Sequence, residues 1–239
     1  MIKNILYDYG YVLAYPRSGN WFFPKDTYRI MGIRNTIKML LRKARFSDSF
    51  HKAHGYLNEN HTLYTEEEEL EQFQRFYKIF FHEMGIRRRI DRISEQLAKE
   101  TVCSDEKVCF YEDVKLELAK AHESCKVAIL SDTWPSLRRL LEHQGIMEHL
   151  DGAIMSCDYG ICKDNRKLFE ITISMLNIVP EETVFVDDSE ANLDNAFSMG
   201  IISVLMDRSN KIKQSRYPIV HNLNELYQFV MEYNNSLLY

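Results

Sequence analysis

Four apolar, β-favouring runs lie far apart along the chain, and each ends on a polar or charged side chain. Ile5-Leu6-Tyr7 leads into Asp8 and Val127-Ala128-Ile129-Leu130 into Ser131-Asp132. Ala153-Ile154-Met155 leads into Ser156, with Lys163 a short loop beyond, and Val184-Phe185-Val186 into Asp187-Asp188. Apolar runs without alternation are buried on both faces, as parallel strands are in an α/β sheet. Such sheets bind ligands outside the carboxyl ends of their strands, so the four polar ends are expected in one crevice.

Between and after these runs the periodicity turns helical. Helices are expected over Val114 to His122, Pro135 to His143, Lys167 to Leu176, Glu190 to Met199 and Asn222 to Tyr233, with a further strand at Ile202 to Met206. This alternation predicts right-handed βαβ crossovers and a Rossmann-like, three-layer α/β core with a parallel sheet. From Pro24 to Thr101 only amphipathic segments occur: Pro24 to Met31, Thr36 to Ala53, Thr65 to Met84 and Arg87 to Lys99. The third opens with Thr65 before Glu66 to Glu69 and stops at Gly85, which is start and stop chemistry for a helix. The predicted division is therefore a core of residues 1–14 and 108–239 and a helical bundle inserted at 15–107, with Val108 to Asp113 as the hinge.

Composition narrows the function. The net charge of -5 over 239 residues gives no electrostatic footprint for nucleic acid, and a metabolite-sized ligand is expected. No apolar run reaches membrane-spanning length, so no membrane partner is expected. Met1 to Ile5 runs straight into the first strand, so no signal peptide is expected. The five cysteines are odd in number and lack a Cys-x-x-Cys pair, so Cys157 and Cys162 around Lys163 read as packing residues. A cytoplasmic protein, monomeric or homodimeric, is the expectation.

The crevice would hold three carboxylates (Asp8, Asp187, Asp188), a lysine and the Ser131 hydroxyl. Carboxylates crowded in a partly buried site need a compensating charge, and an all-oxygen ligand set suits Mg2+. That cation, Lys163 and the amides after Ser131 would attract a phosphoryl group.

With these residues in view the chain resembles the haloacid dehalogenase superfamily of aspartyl-phosphate hydrolases, in its subgroup with a helical cap. Asp8-Tyr9-Gly10-Tyr11-Val12-Leu13 is similar to motif I and Leu130-Ser131-Asp132-Thr133 to motif II. Lys163, preceded by Ser156-Cys157-Asp158-Tyr159-Gly160, is similar to motif III, and Asp187-Asp188-Ser189-Glu190-Ala191-Asn192 to motif IV. The resemblance implies Asp8 as nucleophile, Ser131 and the amide of Asp132 or Thr133 on one phosphoryl oxygen, and Lys163 on another. It implies Asp8, the Gly10 carbonyl and Asp188 as direct Mg2+ ligands, with Asp187 reaching a metal-bound water or Lys163, and Asn192 orienting the loop.

The chain departs from the family at residue 10. Most phosphatases of the superfamily carry there a second aspartate that protonates the leaving oxygen and later activates water; glycine offers only its carbonyl. Three readings follow: a phosphatase of the Asp-x-Gly kind acting on a small phosphorylated metabolite, a non-catalytic or very slow phosphate-ligand-binding protein, and a 2-haloacid dehalogenase. The dehalogenases resembled lack the Asp-Asp pair that Asp187 and Asp188 supply. For a replacement proton carrier, Tyr9 and Tyr11 have an unfavourable pKa, while His51, His54, His61 and His82 of the bundle have a better one. In the loop Tyr15 to Phe22, Arg17 is a candidate for a second substrate anion, and Trp21 and Phe22 either wall a pocket or anchor the bundle. The acidic run Glu66 to Glu69 reads as a solvated helix start. Arg87, Arg88, Arg89 and Arg92 read as a basic surface.

Overall fold

The apolar runs are neighbours in one sheet, and the order of elements shows how. The computed structural model describes residues 1–236. It begins with β1 (Asn4–Tyr7) and β2 (Ala14–Pro16), followed by four helices: α1 (Thr27–Leu41), α2 (Phe46–Glu59), α3 (Glu66–Glu83) and α4 (Ile90–Val102). There follow β3 (Val108–Phe110), α5 (Val114–His122), β4 (Lys126–Ser131), α6 (Ser136–His143), β5 (Gly152–Met155) and α7 (Ser156–Tyr159). α8 (Arg166–Leu176), β6 (Thr183–Asp187), α9 (Glu190–Phe197), β7 (Ile202–Met206), β8 (Ile219–Val220) and α10 (Leu223–Ser236) complete it.

Six strands form one parallel sheet in the order β5-β4-β1-β6-β7-β8. All four residues of β1 are buried, as a central strand requires. The chain first builds outward through β4 and β5, then returns to the other side of β1, which makes the carboxyl end of β1 the switch point of the topology. Tyr7 lies level with Ile129 of β4 and Val186 of β6, so residues just beyond these three positions share one edge.

Side chains alternate across the sheet. Leu6, Ala128, Leu130, Phe185 and Leu205 share a cluster with Leu168, Phe169, Leu193 and Ala196 of α8 and α9. Phe169 meets Phe185 edge-on at 5.5 Å; truncating a fully buried phenylalanine such as Phe185 to alanine costs about 3–5 kcal/mol. Flanked by helices, the sheet is the Rossmann-like α/β core.

The chain divides into two compact units: Met1–Tyr15, Phe110–Thr133 and the chain from Leu137 onward in one, Pro16–Cys109 with Trp134–Ser136 in the other. The second is helical and aromatic. On α3, Phe73, Phe76, Tyr77, Phe80 and Phe81 recur at helical spacing and are buried, facing Ile93, Leu97 and Val102 of α4 in one cluster. Thr65 and Glu68 form a reciprocal capping box at the start of α3. Phe22 packs on Phe50 and Phe76 at 5.2 and 5.7 Å, so this residue of the Tyr15 to Phe22 loop anchors the aromatic core.

Several boundaries differ from the sequence pattern. The segment Thr36 to Ala53, expected as one helix, is divided between α1 and α2 by a 3-10 turn at Lys43–Arg45. The break lets the Arg42 guanidinium donate to the Met84 carbonyl at 3.1 Å. α1 is itself interrupted at Gly32, where φ 72° and ψ 160° suit only glycine. The hinge expected at Val108 to Asp113 begins as β3, and β2, β8 and α7 are too short to leave a periodic signal. Trp134–Ser136 groups with the helices because the Trp134 indole donates to Gln72 at 2.8 Å and Ser136 is held by Glu69.

That last contact corrects the reading of the acidic run. Glu69 is 1% exposed and accepts from the Ser136 amide at 2.7 Å and hydroxyl at 2.8 Å, while Lys107 donates to the same hydroxyl at 2.9 Å. Only one face of α3 is solvated, and the fourth glutamate points away from it. Among the described residues no helix is long and apolar enough to cross a membrane.

Candidate active site

Asp8 directly follows β1, and its amide donates to the Val186 carbonyl at 3.0 Å, which fixes it at the edge between β4 and β6. Its side chain is buried. Oδ1 accepts from the Ser131 hydroxyl at 2.8 Å and from Lys163 Nζ at 2.6 Å. With Oδ1 taken twice, Oδ2 is the oxygen left for a cation or an electrophile.

Lys163 is 2% exposed and reaches in from the loop after α7, which ends on Gly160 in the left-handed region at φ 63°. Its Nζ lies 5.6 Å from the centroid of the Phe185 ring and makes a second ion pair, to Asp187 Oδ2 at 2.6 Å. Its backbone is held at both ends: the amide donates to Asp132 Oδ1 at 2.9 Å and the carbonyl accepts from Asn195 at 2.9 Å. Asp187 is fully buried, with its oxygens occupied by the Ser189 amide at 2.8 Å and by Asn192 at 3.2 and 3.1 Å. Asp188, the next residue, opens to solvent.

The turn after β4 is braced from α7. The Thr133 amide donates to Ser156 Oγ at 2.9 Å, which leaves the Asp132 amide as the remaining candidate of the two expected to meet a phosphoryl oxygen. The Ser131 hydroxyl donates to Asp8, so a role on an anion requires exchange of that bond.

The electrostatics are unbalanced. Burial, with Asp187 and Asp188 nearby, pushes the Asp8 carboxyl up to about 7 although Lys163 opposes it. Partial burial and then Asp187 push Asp188 up to about 6. Burial pulls the Lys163 ammonium down, but Asp187, Asp8 and Asp132 outweigh it and hold its pKa above the usual range. Burial also raises Asp132. Cys162, raised to about 12 by burial, stays a thiol at neutral pH.

One carboxylate oxygen from each of Asp8, Asp187 and Asp188 lies within 4.8 Å of the others. Three hard oxygen donors facing a single ammonium fit a divalent cation such as Mg2+. Asp187 is saturated by donors, so Asp8 and Asp188 carry the unfilled oxygens.

Other predicted residues have their own local contacts. Gly10 has a backbone outside the left-handed region and bridges to Ala14. Tyr9 is buried against Phe110 at 5.8 Å, and burial beside Asp8 drives its phenol further up, so it is no base at neutral pH. Arg17 belongs to the helical unit, where Nε donates to the Glu106 carbonyl at 2.8 Å. The four histidines also lie in that unit; His61 is buried, and burial pulls its pKa and that of His54 down. Ser156, Asn195 and the bracing role of Asp132 were not assigned from the sequence. Ser156 and Asp132 sit inside quoted motifs, whereas Asn195 gives no signal beyond its place on α9.

Comparison with known proteins adds a family. GMP/IMP nucleotidase YrfG of Escherichia coli (strain K12) is 33% identical over 86 residues, 36% of this chain and 39% of the nucleotidase. The chain covers two fifths or less of the curated relatives it first matches. A 2-haloacid dehalogenase structure from Pseudomonas syringae pv. Tomato DC3000 superposes with a TM-score of 0.66 at 15% identity, covering 98% of this chain and 100% of that one. A HAD phosphatase structure from Thermococcus onnurineus gives 0.54 at 18%, covering 96% and 98%. At these identities the two structures speak for the fold alone. A model of haloacid dehalogenase-like hydrolases matches residues 32–200, the larger part of the sequence, and on that match the chain belongs to the haloacid dehalogenase-like hydrolase family.

Proposed function

We propose that this hydrolase is a Mg2+-dependent phosphatase that cleaves a small phosphorylated metabolite through an aspartyl-phosphate on Asp8. The observation that carries the reading is the charge imbalance: three carboxylates around one ammonium, with Asp8 raised to about 7 and Asp188 to about 6. A halide-expelling site has no need of such an excess of negative charge. A site for a cation and a phosphoryl group does.

In this reading an Asp8 carboxylate oxygen forms a bond to phosphorus as the ester P–O bond breaks, and the leaving oxygen takes up a proton. Water then attacks phosphorus, and the acyl phosphate opens to inorganic phosphate and free Asp8. Lys163 orients Asp8 and neutralises phosphoryl oxygens; Ser131 and the Asp132 amide hold a further oxygen. Asp187, fixed by Asn192 and Ser189, keeps Lys163 in place. Asp8, Asp188 and the Gly10 carbonyl would hold Mg2+, which would supply positive charge to balance the carboxylates and the phosphoryl group. Arg17 is kept as the candidate for a second anionic group of the substrate, and the protein works in the cytoplasm.

The test is a hydrolysis screen with Mg2+ or EDTA over sugar phosphates and nucleoside monophosphates, GMP and IMP included because of the nucleotidase relative. Turnover that needs both Mg2+ and Asp8, and vanishes in Asp8→Asn, is the expected result. Halide release from a 2-haloacid in EDTA would overturn it. Gly10 favours one second reading: if phosphate raises the melting temperature while no ester is cleaved, the site binds without turning over.

A further inference from the structure

The second half of α1 carries an apolar face that the protein leaves uncovered. Beyond the break at Gly32, Asn35 and Met39 are buried, and they lie on one side of the helix. On the opposite side, at i, i+4, i+7 and i+8, stand Ile33, Ile37, Leu40 and Leu41, exposed at 80, 51, 57 and 82%. These four residues fall within about 100° of the helix circumference. Single exposed apolar residues are ordinary, but a contiguous row marks a surface that meets something.

The charge around the row says what it meets. Residues 25–45 contain Lys25, Arg29, Arg34, Lys38, Arg42, Lys43 and Arg45 against one acid, Asp26, a net of +6 in a chain whose total is -5. Arg42 is committed to the Met84 carbonyl and Arg29 to Asp26 at 3.0 and 2.7 Å. Lys25, Arg34, Lys43 and Arg45 are exposed, and the next acid along the chain is Asp48. A cavity of about 300 Å³ opens at Gly32, directly before the row, and is lined by Arg29, Arg89 and Arg92. A second copy offering the same face would bring like charge against like charge. An apolar stripe flanked by lysines and arginines matches the surface of an anionic bilayer, whose headgroups take the cations while the stripe sits among the upper acyl chains.

We infer that the Ile33–Leu41 face of α1, with its basic flank, docks the protein peripherally on anionic lipid. This departs from the expectation of no membrane partner, which rested on the lack of a spanning run and does not bear on a helix that lies in the interface. It is independent of the reaction at Asp8.

The experiment is co-sedimentation of the full chain with vesicles of phosphatidylcholine mixed with phosphatidylserine, against vesicles of phosphatidylcholine alone. Binding is expected only to the mixed vesicles and is expected to weaken as salt shortens the reach of the charges. Arg34→Glu/Lys43→Glu should lower the bound-to-free ratio at least about tenfold, and Ile33→Ser/Leu41→Ser should do the same. All four positions are exposed, so circular dichroism and melting temperature should match the parent. Absence of binding to the mixed vesicles would overturn the inference, as would equal binding to pure phosphatidylcholine or binding unchanged in both variants. A dimer in light scattering that Ile33→Ser/Leu41→Ser dissociates, without vesicle binding, would assign the face to self-association instead.

Discussion

The two units each bury charged groups, and they do so in opposite ways. In the α/β unit, Asp8, Asp187 and Asp188 surround one ammonium, and Asp8 and Asp188 are held near 7 and 6. In the helical unit, Glu69 and Lys107 meet through Ser136, one negative and one positive, with the serine amide and hydroxyl filling the glutamate's oxygens. Burial raises Glu69 and lowers Lys107, and each partner counters the other's shift. Buried charge alone therefore does not distinguish a site from a strut; an uncompensated excess of one sign does. A balanced cluster holds elements together, whereas an unbalanced one is completed by a ligand.

Removing the ammonium from the unbalanced cluster should have the largest effect. Lys163→Ala leaves Asp8 and Asp187 facing each other without a counter-charge and takes away a preorganised donor, worth about 3–4 kcal/mol of transition-state stabilisation. Phosphatase turnover should fall by roughly two to three orders of magnitude, measured as kcat/KM on whichever ester the screen identifies. The matching change in the helical unit, Lys107→Met, should leave kcat/KM within a few-fold of the parent. Comparable losses in both would abolish the distinction.

Metal binding should come next. Asp8 and Asp188 have folded-state pKa values above the ordinary carboxylate value near 4. Their contribution to stability is present below that value and is lost as pH rises through about 6 to 7. In EDTA the melting temperature of the parent should therefore decline more between about pH 5 and 8 than that of Asp188→Asn. A divalent cation binds the ionised carboxylates, so the stabilisation by Mg2+ should grow over the same interval, reaching about 2.7 kcal/mol at a hundredfold excess over Kd. Calorimetry with and without Mg2+ reads both slopes. A Mg2+ effect independent of pH, or retained in Asp188→Asn, would remove these carboxylates from the metal site.

The sheet and its edge were legible because its central strands are uninterrupted apolar runs and Asp8, Ser131, Asp187 and Asp188 stand at or just past their ends, with Lys163 reaching in from a later loop. That pattern predicted β7 at its residues and β1, β4, β5 and β6 to within a residue at each end, and it missed β8. What stayed hidden is tertiary. Glu69 reads as one of four solvated acids, and only the packing of α3 shows that it points inward. The split at Lys43–Arg45 goes with a hydrogen bond from Arg42 to Met84, some forty residues away in sequence. Asn195 supports Lys163 through a carbonyl, which no side-chain pattern reveals. The exposed row on α1 has the periodicity of a core-facing helix, and the sequence cannot say which of two apolar faces, Met31–Met39 or Ile33–Leu41, turns inward.

A smaller effect is expected at Gly10, which sharpens the comparison by adding a carboxylate to the cluster that already has too many. Its backbone lies outside the left-handed region, so an aspartate is sterically admissible along the chain. A well-placed acid contributes about 10²–10⁴; one introduced without its supporting contacts should give about tenfold on alkyl phosphates and little on p-nitrophenyl phosphate, whose leaving group needs no proton. If both esters respond equally, the new carboxylate acts on Asp8 or the metal and not as a proton carrier.

The smallest effect belongs to the balanced cluster. In Glu69→Gln the amide oxygen still accepts from Ser136, but the second acceptor oxygen, which takes the other Ser136 donor, is lost. The net cost should be about 1 kcal/mol, or about 2–4 °C in melting temperature for a chain of this length. Because burial holds the Glu69 carboxyl above its unfolded value, its own contribution is present at low pH and is lost as pH rises through the folded pKa. The difference between parent and variant should therefore be greatest in mild acid and shrink toward neutrality. The Mg2+ response should be unchanged, since nothing in the Lys107-Ser136-Glu69 chain lacks a counter-charge. A loss of Mg2+ stabilisation in Glu69→Gln would mean that the two clusters share one charge balance, and that the helical unit's buried pair takes part in the site.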